Sequence, residues 1–178
     1  MSYNQILKGA EAMADAKETV KQQLQMGENL LKMFSSDFSD ADGLVQPVEG
    51  GCHLIWILGH LATTQDWAVS KLTGQPNRVP QKLIDLFKGG SKVAADAKRY
   101  PPRAEVEDLF RQTQAATIKA LDVFDEKRWS DPSPDGVPRE YFPTAGSLWG
   151  MMGTHTFWHV GQLTDIRRRL GKPQRLTE

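Results

Sequence analysis

His155 and His159 stand four residues apart. On an α-helix that spacing stacks two side chains on one side, with Cβ atoms about 6 Å apart. Two imidazoles so placed can converge on one divalent ion through bonds of about 2.0–2.1 Å. The chain has two other histidines, His53 and His60. All four fall on the predicted inward stripes of two helices. Inward polar groups are costly unless something satisfies them, and a metal satisfies one ring nitrogen of a neutral imidazole. His53 and His60 lie about 10.5 Å apart along a helix axis, so one ion cannot take both. Geometry alone does not choose between them. His60 lies mid-helix, like the pair on the later helix, and is preferred, whereas His53 lies near a helix start and suits a pocket mouth or a structural role.

Three neutral nitrogens with no inward carboxylate leave an ion at full +2 charge with open coordination positions, a site of catalytic type. Zinc or nickel is the first expectation, with iron and manganese as alternatives. Such an ion lowers the pKa of water or of a thiol. The run His155-Thr156-Phe157-Trp158-His159 lacks the glutamate of the HExxH protease motif. Glu-x-x-His pairs of di-iron bundles are missing from the inward stripes. Gln162, three residues past His159, is placed to bond a ligand histidine. Trp56 and Trp158 are candidates to line a pocket, as are Trp67 and Trp149, although packing is the commoner use of tryptophan.

The elements that must position these residues are helical throughout. Ile6, Ala10, Met13, Val20, Leu24, Leu31 and Phe34 mark one face of a first helix from Tyr3 to about Ser35, which Lys17 and Gly27 weaken. A second helix is predicted from near Gly51 to about Leu72, with Gly74 as its stop. Its inward stripe reads His53, Ile57, His60, Thr64, Trp67 and Lys71. Residues 75–102 form a long proline- and glycine-bearing connection with a short helix at 81–87. It suits a crossover or a loop, Ser91 included, that covers a site. A third helix follows Pro102 and runs to about Phe124, with a stripe of Val106, Leu109 or Phe110, Thr113, Ala116, Ala120 or Leu121, and Phe124. A fourth starts at the N-cap Thr144 and ends before Gly171, with Leu148, Met152, His155, His159, Gln162, Ile166 and Leu170 inward. Arg167 to Arg169 read as a solvated helix end. The expectation is an all-α four-helix bundle, residues 1–178 as one domain.

Bulk properties narrow the function. Lysine plus arginine number 22 and aspartate plus glutamate 22, so no global basic field draws in nucleic acid. The longest apolar runs are too short to span a membrane. The segment MSYNQILKG lacks a signal peptide's design, and the lone Cys52 excludes an intrachain disulfide and reads as packing. A cytoplasmic protein with a small-molecule substrate is expected.

The segments Trp56-Ile57-Leu58-Gly59-His60-Leu61-Ala62 and His155-Thr156-Phe157-Trp158-His159-Val160-Gly161-Gln162-Leu163 resemble the DinB-like superfamily, as does the ending Arg167-Arg168-Arg169-Leu170-Gly171. The resemblance implies a four-helix bundle of 1-2-4-3 topology with long crossover connections and helices two and four side by side. It implies a metal triad of His60, His155 and His159, and a homodimer. Characterised relatives in that superfamily include S-transferases that use low-molecular-weight thiols, a maleylpyruvate isomerase and metal-dependent hydrolases. Transferase chemistry is therefore the first expectation and hydrolysis the second. A non-catalytic metal- or ligand-binding stress protein is a third reading, and a structural dimer with relict histidines a fourth.

Overall fold

The structure, a computed structural model, describes residues 16–175. Helices α1 (Ala16–Ser35), α2 (Leu54–Thr73), α3 (Gln81–Phe87), α4 (Arg103–Val123) and α5 (Ala145–Arg169) make up the fold, with three short 3-10 turns. No strand occurs among the described residues, only an isolated bridge between Pro132 and Thr144. The chain is all-α. Helix α1 packs along α5 and α2 along α4, while α2 also meets α5 and α1 meets α4. The long helices of the second and fourth predicted segments, α2 and α5, thus lie side by side as expected. Ile6, Ala10 and Met13 lie outside the described residues.

Local chemistry explains most of the boundaries. Gly74 takes φ +73° and its N–H reaches the Ser70 carbonyl, closing α2 in the left-handed conformation that glycine adopts without strain. Thr144 caps α5 in a reciprocal box with Ser147. Pro102 precedes the first residue of α4, where a missing N–H costs nothing. Helix α2 begins at Leu54, three residues later than Gly51, because the His53 side chain serves as its N-cap.

The core forms two apolar clusters. One gathers Leu31, Leu58, Leu61, Phe87, Phe110 and Leu163. The other gathers Leu24, Leu72, Leu121, Leu148 and Trp149. Burying each such side chain contributes about 1.5–3 kcal/mol before the opposing loss of chain entropy. Gly27 proves to be a point of close approach, not a weak spot on the α1 face. A Cβ there would stand 2.9 Å from Cβ of Thr156, so only glycine lets α1 lie this tightly on α5.

The faces differ from expectation in three respects. Helix α2 is buried almost all round, and Thr64, Trp67 and Lys71, read as inward with His60, are half-buried on its least covered side. A helix surrounded by neighbours has no single apolar stripe to find. On α4 the buried positions include Gln114 and Thr117, whereas Ala116 and Ala120 are only half-buried. Gln114 donates to the Leu24 carbonyl at 2.7 Å and accepts from Gln65 at 2.6 Å, an amide chain joining α2, α4 and α1 through the core. Lastly, Arg167 is fully buried, not solvated. Its guanidinium bonds both Asp37 oxygens (2.6 and 3.1 Å) and the carbonyls of Phe34 and Pro173 (2.8 Å each).

Candidate metal centre

Where α2 and α5 run side by side, His60, His155 and His159 come together. One ligand nitrogen from each can be chosen so that all three lie within 4.8 Å of one another. Ring centroids are 4.7 Å apart for His155 and His159, 5.1 Å for His60 and His155, and 5.2 Å for His60 and His159. The i, i+4 spacing on α5 supplies two rings, and one turn of α2 faces them with the third.

The protons on these rings follow from their partners. Nδ1–H of His60 donates to the Phe87 carbonyl at 2.9 Å, and a carbonyl can only accept. In the neutral ring, Nε2 of His60 is then left with its lone pair free. Nδ1 of His159 meets Oε1 of Gln162 at 2.8 Å, which likewise leaves Nε2 as the acceptor. Nε2 of His155 faces Nε2 of His159 at 3.1 Å, close to the spacing of two nitrogens that share an ion. Two of the three rings are thus oriented by hydrogen bonds at the far nitrogen, the usual support of a metal-ligating imidazole.

Electrostatics keeps the cluster neutral. Burial pushes the pKa of His155 down to about 3, with the neighbouring His159 and His60 acting in the same direction. His159 is pushed down to about 4 by burial, which the Gln162 hydrogen bond partly opposes. Burial also lowers His60 against the opposing effect of the Phe87 carbonyl. Neutral imidazoles are the form that ligates a metal. The donor set, one imidazole nitrogen from each of three histidines and no carboxylate among the described residues of the cluster, fits a borderline transition metal such as zinc or nickel.

Helix α3 supports the site from behind. Trp56 stacks on His60 with centroids 4.6 Å apart and planes 10° from parallel. Its Nε1–H donates to Oγ of Ser91 at 3.0 Å, and that hydroxyl donates to the Leu86 carbonyl at 2.9 Å. The connection expected to cover the site is therefore a brace for one ligand. Gly59 permits it, since a Cβ there would overlap the Phe87 ring.

In front of the histidines a cleft of about 730 Å³ opens, with Trp67, Tyr141, Phe142, Met151 and Trp158 in its wall and the three imidazoles and Gln162 at its floor. Trp158 is 77% exposed at the lip. Trp56 lies behind His60 and does not line the cleft, and Trp149 is core.

His53 also stays out of the cleft. Its Nδ1 accepts the Trp56 backbone N–H at 3.1 Å, and its Nε2–H donates to the Ala94 carbonyl at 3.2 Å. Both nitrogens are satisfied, and the ring is fully buried with its edge against Tyr100. Burial pushes its pKa down to about 4, against about 6.5 in an unfolded chain. The unfolded state then binds the extra proton first. Stability from this residue is complete above about pH 6.5 and falls toward pH 4 by up to about 1.4 kcal/mol per pH unit. His53→Asn keeps a capping side chain but cannot titrate, so urea denaturation between pH 7 and 4 should show a shallower acid decline. An unchanged slope would count against this assignment.

The sequence profile of the DinB superfamily matches residues 23–163, which contain all three clustered histidines. No curated protein matches the chain. A solved crystal structure, that of a conserved protein from Enterococcus faecalis, superposes with a TM-score of 0.65 at 18% identity, covering 97% of this chain and 99% of that one. At that identity it speaks for the fold alone. With its five described helices and its three-histidine cluster between α2 and α5, the chain belongs to the DinB superfamily.

Proposed function

We propose that this protein is a metal-dependent enzyme in which His60, His155 and His159 hold one divalent ion, and that its chemistry is thiol S-transfer to an electrophile. The observation that carries the reading is the convergence of three neutral imidazoles, two of them oriented by hydrogen bonds, at the floor of an open cleft. Three protein ligands leave coordination positions for a reactant, whereas a structural site closes all of them. A divalent ion there supplies Lewis-acid polarisation and lowers the pKa of a thiol that reaches it. The chain's own residues do the rest. Phe87 and Gln162 hold two ring nitrogens in place through their far sides, Trp56 fixes the plane of His60, and the aromatic wall offers apolar surface beside the floor. No carboxylate lines the cleft among the described residues, so no general base stands ready to activate water. That ranks hydrolysis second.

Load the protein with zinc or nickel, supply low-molecular-weight thiols with an electrophile, and follow the loss of free thiol. Turnover is expected for the native chain and not for His60→Ala. Equal rates in both would remove the enzymatic reading. Stoichiometric metal uptake without any turnover would favour a metal-binding role.

A further inference from the structure

The wall of the cleft is chemically one-sided. Trp67, Tyr141, Phe142, Met151 and Trp158 supply its apolar surface, and among the described residues no lysine, arginine, aspartate or glutamate lines it. Several of its polar groups are already engaged. Ser147 is bound in the capping box with Thr144, and the Thr154 hydroxyl donates to the carbonyls of Gly150 and Met151. Lys71 stands one turn beyond Trp67 on α2 and does not line the cleft. Its ammonium donates to the Asp135 carbonyl at 3.0 Å. Two of the largest wall residues remain exposed, Tyr141 at 72% and Trp158 at 77%. Flat apolar surface left open beside a polar floor is the mark of a ligand groove.

We infer that the electrophilic substrate is an uncharged molecule with a flat aromatic body, which lies along the Trp158 and Tyr141 wall and points a single polar head at the histidine floor. The volume of about 730 Å³ suits one such molecule. An anionic body would lose its hydration in this groove with no cation to replace it. A neutral ring system gains contact with Trp67, Phe142 and Trp158 instead. The selection of the head rests on the metal reading above, but the selection of the body does not.

Two pairs of probes separate those parts. On protein stripped of metal at pH 8, equilibrium dialysis compares 2-naphthol with 2-naphthoate, which differ in charge on the same ring system. Naphthol should bind at least about tenfold more tightly. Trp158→Ala, a change at a position that is 77% exposed, should weaken naphthol by about tenfold while metal uptake stays stoichiometric. On nickel-loaded protein, benzohydroxamate should bind at least about tenfold more tightly than acetohydroxamate, which carries the same head without the ring. Equal binding of naphthol and naphthoate, equal binding of the two hydroxamates, or indifference to Trp158→Ala would each overturn the inference. Absence of stoichiometric metal uptake together with a preserved preference for naphthol would instead overturn the metal reading and leave the inference standing.

Discussion

Alanine at any one of His60, His155 or His159 is expected to weaken divalent-metal binding by more than about 100-fold. The three nitrogens act as a chelate, so the loss of one removes a bond and also the enforced convergence of the other two. Gln162→Leu removes only the acceptor that orients His159, and the expected loss is smaller, about 10- to 100-fold. His53→Ala should leave metal affinity nearly unchanged, because its nitrogens bond Trp56 and Ala94. Competition titration with a chromophoric zinc or nickel chelator measures the native chain and the five variants on one scale. The ranking is the test. If a single triad variant bound metal as tightly as the native chain, or if His53→Ala lost binding as fully as His60→Ala, the cluster would not be the ligand set.

The second large effect lies far from the cleft. Arg167→Ala should destabilise the protein by about 2–3 kcal/mol, the scale of charged hydrogen bonds lost where the arginine is buried but Asp37 keeps 35% of its side chain exposed. The guanidinium is completely buried and ties the end of α1, through Asp37 and the Phe34 carbonyl, to the chain after α5, through Pro173. Its loss leaves the Phe34 carbonyl without that donor in the interior. Arg168→Ala offers the control, because that side chain lies on the surface with a nearby Asp165 and such pairs contribute about 0–1 kcal/mol. The pair also predicts a pH signature. Arg167 holds the Asp37 carboxyl down to about 2, chiefly through its hydrogen bonds. A depressed carboxylate contributes stability that is complete above its unfolded value near pH 4 and is lost as pH falls toward 2. Urea midpoints for the native chain, Arg167→Ala and Arg168→Ala at pH 7 and pH 3 read both effects. A loss below about 1 kcal/mol at pH 7 would contradict the structural role.

The local grammar of the chain was legible without coordinates. Gly74, Pro102, Thr144 and Gly171 punctuate the helices, and the short helix at 81–87 stands where it is expected. The i, i+4 pair on α5 was equally legible, because 3.6 residues per turn fixes which neighbours share a side. The first turns of the predicted first helix lie outside the described residues.

Other features depended on contacts between segments distant in sequence. Spacing could say that His53 and His60 cannot serve one ion, but not which of them faces α5. The structure brings His60 to the pair, and α3 braces it through the Phe87 carbonyl from 27 residues away. The burial of Arg167 depends on Asp37, 130 residues away, and that of Gln114 on Leu24, 90 residues away. The faces of α2 were misread for the same reason. Periodicity gives a helix its sides, but only the neighbours packed around it decide which side is covered and which is left open as the wall of a cleft.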